Sequence, residues 1–303
     1  MTRYDRQTVL PEVGAEGQRR LAAARVLVVG AGGLGSTVLP LLAGAGVGSL
    51  RIVDPDTVEE TNLHRQTLYE MADIGRPKAG VAAEALRRRN PEIAVSALIA
   101  RLDPVLARAE VAAADLVIDA ADSFAVSYAL SDVCEAQGKP LITASVSGRQ
   151  GYAGGFCAGA PGLRALFPDL PMQAPDCSGG GVMGPAVAML GALQAQMALS
   201  VLLGHRPPAL GQMLRLDLAS WHVSGFRFDT APAPDDPGPE VLALSEIAAD
   251  DLVVDLRHDT AAPDPAPVQR VVFLCRTGLR AWRAARALQA TGHARVAIVG
   301  DGE

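Results

Sequence analysis

The residues that most clearly could bind a ligand form a glycine-rich turn near the N-terminus. Gly30, Gly32 and Gly35 follow the β-branched run 25–29 in the spacing G-x-G-x-x-G, and an apolar helical stretch comes next. Such glycines let backbone N–H groups approach a phosphate, toward which the helix points the positive end of its dipole. Asp54 ends the following strand, where an acid can accept hydrogen bonds from ribose. The turn predicts a nucleotide site, although a ligand-free turn and an NAD site share this pattern.

Polar residues follow Asp54 at close spacing and form the second set that could do chemistry. They fall in the run 54–67, at 75–78 and at 119–123. A single Arg or Lys is usually only a solvated charge, so its weight here depends on the order of the motifs around it. The candidate residues of both sets are Gly30, Gly32, Gly33, Gly35, Asp54, Asp56, Asn62, Arg65, Gln66, Lys78 and Asp122.

The elements that must position these residues alternate between strands and helices. Apolar runs predict strands, and an amphipathic stretch predicts a helix that ends at Asn90-Pro91. This alternation predicts an α/β fold with a Rossmann-like, mostly parallel sheet and flanking helices. The carboxyl ends of parallel strands hold ligands in such sheets, which is where Asp54 and Asp122 lie. The predicted strands are 25–29, 49–53, 94–99, 115–119 and 140–144, and the helix is 77–89.

Taken in order, the motifs resemble the ThiF/MoeB/HesA family, which activates ubiquitin-like sulfur-carrier proteins. The resemblance covers roughly residues 1–227. An NAD-dependent oxidoreductase would share the glycine turn but has no use for Arg65, Lys78 and Asp122 together. The same three residues argue against a non-catalytic scaffold that only binds the carrier. The matching segments are 3–7 (Arg-Tyr-Asp-Arg-Gln), 30–35, 54–56, 62–66, 75–78 and 177–185.

The resemblance implies that ATP and Mg²⁺ bind here and that the C-terminal glycine carboxylate of a MoaD- or ThiS-like carrier, ending in Gly-Gly, is adenylated. Molybdopterin or thiamine biosynthesis would be the pathway. Asp56 and Gln66 belong to the same nucleotide-binding segment. The implied contacts are Gly33 with the phosphates, Asp54 with the ribose, Asn62, Arg65 and Lys78 with the triphosphate, Asp122 with Mg²⁺, and Arg6 with the site of a partner subunit in a homodimer.

The residue types suit this reaction. A C-terminal carboxylate has a pKa of about 3.5 and is already ionised at neutral pH, so it needs no general base. The difficulty is to bring two anions together and to stabilise charge on the α-phosphate and the leaving pyrophosphate. Fixed cations, a helix N-terminus and Mg²⁺ supply that stabilisation.

Cysteines distinguish this chain from many members of that family, which hold a structural zinc with two CxxC pairs. Gly162 and Ala165 occupy the places of the first pair, and no cysteine occurs between residues 221 and 274, where the second pair would fall. A tetrahedral site needs four ligands, so we expect no zinc. Cys177 lies in a glycine-rich segment where the family has a cysteine. It is a candidate for covalent chemistry, with a structural thiol as the alternative.

The chain beyond residue 228 reads as a linker, 229–240, with four prolines, followed by a small α/β piece, 241–303. Cys275 opens a Cys-Arg-Thr-Gly-Leu-Arg loop between a strand and a helix, where the helix dipole favours a thiolate. This piece resembles a shortened rhodanese-like domain, with Asp255 and Arg257 as its early Asp-x-Arg. The resemblance implies a persulfide on Cys275, loaded by a donor such as a cysteine desulfurase. An inactive, degraded domain is the alternative.

The length and composition limit the number of domains and the classes of function that the chain can have. The 303 residues suggest about two domains. Lys and Arg total 27 against 33 Asp and Glu, a net charge of −6, which argues against a general nucleic-acid binder. The N-terminus has no apolar signal core, and the four cysteines show no disulfide framework, so a cytoplasmic protein is expected. The uncharged run 184–204 could span a bilayer by length but is expected to be a helix buried in the core or at a subunit interface.

Overall fold

A computed structural model describes residues 3–169, 181–258 and 265–302. The helices are α1 (Asp5–Thr8), α2 (Gly14–Ala23), α3 (Gly35–Ala45), α4 (Lys78–Arg89), α5 (Pro104–Ala112), α6 (Phe124–Gln137), α7 (Leu163–Leu166), α8 (Gly184–Leu203) and α9 (Leu279–Ala290). The strands are β1 (Arg25–Val29), β2 (Ser49–Val53), β3 (Ala94–Leu98), β4 (Leu116–Asp119), β5 (Leu141–Ser147), β6 (Gln150–Phe156), β7 (Gln212–Asp217), β8 (His222–Arg227), β9 (Glu240–Val241), β10 (Leu252–Asp255), β11 (Val271–Cys275) and β12 (Val296–Gly300).

The larger sheet has eight strands in the order β3-β2-β1-β4-β5-β6-β7-β8. The first five strands run parallel, and β6, β7 and β8 add to them as antiparallel hairpins. This arrangement confirms the predicted Rossmann-like α/β fold. The chain leaves β1 toward β2 on one side and returns to β4 on the other, which places a crevice at the carboxyl end of β1.

The strand β1 shows how the sheet is covered on both faces. Val26 and Val28 point into a core shared with α3, α4 and α8. Leu27 and Val29 point the opposite way, into a core shared with α5 and α6. Because successive side chains of a strand alternate, a five-residue apolar run is what a strand buried on both faces requires.

The helix α8 passes the length and composition test for a membrane span, and half of its most apolar window is buried in the fold. It packs along α3, β5 and β6. Gln194, within this run, is fully buried, and its side-chain amide donates to the backbone carbonyl of Asp119, 2.6 Å away. The helix is therefore a core helix, as the sequence predicted.

The second sheet has four parallel strands in the order β10-β11-β12-β9. Its three longer strands and α9 lie within a residue or two of the positions predicted for 252–255, 271–274, 295–299 and 279–291. One face of this sheet packs on α9 and also on the side of α6 that carries Tyr128 and Ala129. The second sheet therefore shares a hydrophobic core with a helix of the first.

Candidate functional site

The glycine turn between β1 and α3 is shaped by its contacts with neighbouring backbone. Gly30 has φ +95°, and a Cβ at this position would overlap the carbonyl oxygen of Ala120. A Cβ on Gly35 would overlap the carbonyl oxygen of Gly30. Both glycines are required by the fold itself, because Gly30 lies against the loop that follows β4 and Gly35 lies against the Gly30 backbone.

The middle of the turn is open to a ligand. Among the described residues, no protein acceptor takes a hydrogen bond from the N–H of Gly32 or Gly33. The phenol of Tyr69 donates to the carbonyl oxygen of Ala31, at 2.5 Å, and so satisfies that acceptor. Two unpaired N–H groups at the start of a helix form a site for an anion such as a phosphate.

Asp54, at the end of β2, is 5% exposed and closes the turn from the side. One carboxylate oxygen accepts from the N–H of Ala31 at 2.7 Å, and the other accepts from the N–H of Asp56 at 2.8 Å. Burial raises the pKa of Asp54 above its ordinary value, and the Ala31 N–H and the Lys78 charge oppose that rise. Each oxygen keeps further capacity to accept a hydrogen bond from a hydroxyl such as that of ribose.

The predicted cation Lys78 is held in place by Asp56. The Lys78 Nζ lies 3.0 Å from the Asp56 carboxylate, although the lysine side chain is only 6% exposed. Lys78 is also the first residue of α4, and its backbone N–H donates to the Asp56 carbonyl. Asp56, which could have been only a loop residue, therefore fixes the position of both the side chain and the backbone of Lys78.

Asn62, Arg65 and Gln66 lie in one turn beside the glycines. The Gln66 Nε2 is 3.6 Å from the position of a Cβ on Gly32 and donates to the Asn62 side chain, while its buried Oε1 has no partner in the described part of the chain. The Arg65 stem packs near Gly33, and its guanidinium donates to the Thr61 carbonyl and contacts the His64 ring. Arg65 is half-buried and must turn from these contacts to meet a phosphate.

Asp122 lies in the loop after β4, which contacts the glycine turn through Ala120 and Ala121. Its carboxylate is exposed at the same edge of the sheet as Asp54. Asp119 anchors this loop from below, since one of its oxygens accepts from Thr143 Oγ at 2.8 Å and the other from the Ala121 N–H at 3.1 Å. Burial raises the pKa of Asp119, and hydrogen bonds from the Ser127 side chain, the Thr143 hydroxyl and the Ala121 N–H limit the rise.

Two of the predicted residues, Arg6 and Cys275, are not brought to this cluster. Arg6, on α1, is exposed; the neighbouring Tyr4 ring packs against Gly46, at the opposite end of α3 from the glycine turn. Cys177 lies outside the described residues. Cys275 ends β11 with 2% exposure, and its Sγ accepts from the N–H of Ala281, in the first turn of α9, at 3.3 Å.

Sequence reasoning missed the residues that support the site from beneath. Tyr69, Asp119, Thr143 and Gln194 hold the glycine turn or the Asp122 loop by buried hydrogen bonds. Only Asp119 had a signal, as an acid at the end of a strand. Tyr69, Thr143 and Gln194 could be identified only from the structure.

No group of three or more His, Cys, Asp or Glu side chains positioned for a metal ion occurs within residues 3–169, 181–258 and 265–302. A Mg²⁺ ion that arrives with a nucleotide does not need such a group, because one or two carboxylates and the phosphates suffice. The exposed carboxylate of Asp122, next to the open glycine turn, fits that requirement.

Comparison with known proteins identifies the family of this chain. The model of the ThiF family matches residues 4–237. The sulfur carrier protein adenylyltransferase of Thermus thermophilus is 43% identical over 225 residues, 72% of this chain and 83% of that protein. The probable adenylyltransferase/sulfurtransferase MoeZ of Mycobacterium tuberculosis is 35% identical over 277 residues, 87% of this chain and 69% of that protein.

Among solved structures, Escherichia coli MccB with MccA-N7isoASN superposes with a TM-score of 0.68 and 23% identity, over 78% of this chain and 75% of that one. At this identity the superposition supports the fold alone. The family match covers most of the chain, so the protein belongs to the ThiF family. It is an enzyme of the adenylyltransferase class, as its relatives are.

Proposed function

We propose that this enzyme adenylates the C-terminal glycine carboxylate of a ubiquitin-like sulfur-carrier protein that ends in Gly-Gly, with ATP as the co-substrate and Mg²⁺ as a cofactor that binds with it. The observation that carries the proposal is the convergence of the open N–H groups of the glycine turn, the Asp56–Lys78 pair and the orphaned Gln66 oxygen at one edge of the sheet. The name of the Thermus relative supports the choice of carrier.

The proposed reaction uses the charges of the site and no proton transfer. A carrier carboxylate oxygen forms a bond to the α-phosphorus, and the bond from that phosphorus to the bridging oxygen breaks and releases pyrophosphate. Lys78 and Arg65 would stabilise the phosphate oxygens, and Asp54 would accept from the ribose. Mg²⁺, when bound beside Asp122, would withdraw charge from the phosphates.

The test is ATP–pyrophosphate exchange with candidate carriers. Arg65→Ala should lower the exchange rate roughly 10²- to 10³-fold, because one transition-state cation is worth about 2.7–4 kcal/mol. Arg88→Ala is the matched control, since Arg88 is exposed on α4 away from the turn and should leave the rate unchanged. If no carrier supports exchange, and Arg65→Ala leaves ATP affinity unchanged, the proposal is wrong. The carrier that works would also identify the pathway, molybdopterin or thiamine.

We propose a homodimer as the working form. The exposed side of α8 and strands β7 and β8 line an apolar groove of about 390 Å³, formed by Met189, Ala192, Leu193, Leu214, Leu216 and Val223. Trp221, beside Val223, is 83% exposed. A second copy would cover this apolar groove, and would supply Arg6, which lies far from the glycine turn of its own chain.

Sulfur transfer at Cys275 is a second proposal, supported by the N–H of Ala281 that points at its Sγ. The terminal sulfur of a Cys275 persulfide would attack the acyl-adenylate, releasing AMP and leaving an acyl disulfide that an external thiol reduces to the thiocarboxylate. The buried thiol must first become accessible to a persulfide donor. Cys275→Ala should abolish thiosulfate:cyanide sulfur transfer and spare exchange; unchanged transfer would exclude Cys275.

A further inference from the structure

The helix α6, which starts two residues after Asp122, is buried on two sides. Val126 and Leu130 pack into the core of the larger sheet. Ala125 and Tyr128 pack into the core of the second sheet. Whatever holds the first turn of this helix therefore also holds the loop that carries Asp122.

The first turn of α6 is capped by the C-terminal unit, the described residues 240–258 and 265–302. The carbonyl oxygen of Thr277 accepts from the Ala125 N–H at 3.1 Å and from Ser123 Oγ at 3.3 Å. Ser123 is the N-cap residue, yet its side chain makes no capping bond within its own helix. The Ala125 N–H, a donor that a helix usually pairs with its own N-cap side chain, is paired here with a carbonyl of the Cys275 loop.

The methyl group of Ala125 is enclosed by two glycines of the C-terminal unit. A Cβ on Gly300 would lie 2.5 Å from the Ala125 Cβ, and a Cβ on Gly278 would lie 2.8 Å from it. Real Cβ atoms do not approach so closely, so the contact depends on glycine at both positions. The N–H of Gly302 donates to the Arg276 carbonyl and ties the end of β12 to the same loop.

A second contact holds the C-terminal unit along α6. The Arg164 guanidinium binds both oxygens of Asp132, on α6, at 2.7 Å, and donates to the carbonyl of Pro237 in the preceding segment. It also lies over the rings of Tyr128 and Trp282, 5.1 and 5.5 Å from their centroids. Charge-assisted and cation–π contacts with little exposure are the strong kind.

We propose that the C-terminal unit positions Asp122: docked on the first turn of α6, it fixes the metal-binding loop of the adenylation site before Mg²⁺ and ATP arrive. A loop that is already ordered loses less conformational entropy when it binds. This inference rests on the proposed function, which assigns Mg²⁺ to Asp122. Thr277, Gly278 and Gly300 act through α6 and do not touch the nucleotide.

The test is the full chain carrying Gly300→Ala, whose new methyl group pushes Ala125 away from the docked loop. We expect faster hydrogen exchange of the Ala125 amide and a roughly threefold to tenfold rise in the Mg²⁺ concentration that half-saturates ATP binding, the loss expected for one hydrogen bond. ATP binding without Mg²⁺ should stay unchanged, which a general loss of structure would not allow. Val268→Ala is the control, because Val268 is 73% exposed in the same unit.

The double variant Gly300→Ala/Ala125→Gly keeps the test usable if the single variant folds poorly. Removing the Ala125 methyl makes room for the new one, so Ala125-region exchange and Mg²⁺ dependence should return toward wild type. Wild-type Mg²⁺ dependence in Gly300→Ala protein whose residue-125 amide exchanges fast would overturn the inference, as would an equal change in Val268→Ala. Failure of the proposed function is seen separately, as absence of carrier-dependent exchange in the unaltered protein.

Discussion

At the scale of the residue, two buried carboxylates support the site, and hydrogen-bond donors from nearby loops and from β5 stabilise them. Asp54 accepts two backbone N–H groups, and Asp119 accepts from a backbone N–H and the Thr143 hydroxyl. Burial raises the pKa of each carboxyl group. Ionisation therefore opposes folding, and the free energy of unfolding contributed by these groups falls as pH rises through their folded pKa values.

The Thr143→Val substitution tests this account. It removes one hydrogen bond from the Asp119 carboxylate without changing shape, so it should raise the folded pKa of Asp119 further. We expect a loss of about 1–3 kcal/mol in the free energy of unfolding at neutral pH. The loss should shrink as pH falls through that raised pKa, because the protonated acid does not need the bond.

Urea unfolding at several pH values measures the effect. Thr67→Val is the control, since Thr67 is exposed in a loop and should show no pH-dependent loss. A Thr143→Val loss that is equal at all pH values would mean that Asp119 is not the partner that matters.

At the scale of the element, α3 offers a matched pair of glycines. A methyl on Gly35 meets the Gly30 carbonyl, whereas Gly44 is exposed with nothing within 4 Å of a Cβ. We expect Gly35→Ala to lower the free energy of unfolding by about 1–3 kcal/mol and to weaken ATP binding. Gly44→Ala should raise it by about 0.5–1 kcal/mol, because alanine loses less entropy in a helix. Chemical denaturation should show that the two substitutions change the free energy of unfolding in opposite directions. A change in the same direction would contradict the geometry of the two glycines.

The elements also show what sequence could predict. The strands β1, β2 and β4 were predicted because strands buried on both faces are runs of β-branched and aliphatic residues. The hairpin of β7 and β8 was not, because every residue of β8 is exposed and no alternating pattern exists to read. In the site, Asp54 and Lys78 were found from motif order, whereas Tyr69 and Thr143 are defined only by atoms far away in the chain.

At the scale of the whole molecule, the position of Arg6 predicts shared sites. About 16 Å of helix separates the two ends of α3, at 1.5 Å per residue, so in the proposed homodimer Arg6 would complete the site of the second copy. Arg6→Ala and Arg65→Ala proteins should each be inactive in exchange. After mixing, half of the molecules become hybrids with one intact site, and about a quarter of the activity should return.

The exchange activity of the mixture is compared with that of each variant incubated alone. Light scattering measures the molar mass, which should be that of a dimer. Met189→Glu, in the apolar groove, should shift the protein toward monomer. Recovery of no activity in a sample shown to contain hybrids would exclude the trans role of Arg6.

The two-sided burial of α6 bears on how this protein could be rebuilt. The helix α6 packs into two hydrophobic cores and belongs to both. Replacing the tail at the proline-rich segment 229–240 would therefore expose one apolar side of α6 to solvent. A working chimaera must carry Ala125, Tyr128 and Ala129 along with any transplanted tail. The proline-rich segment 229–240 and the α6 residues that the tail contacts therefore lie about a hundred residues apart in the sequence.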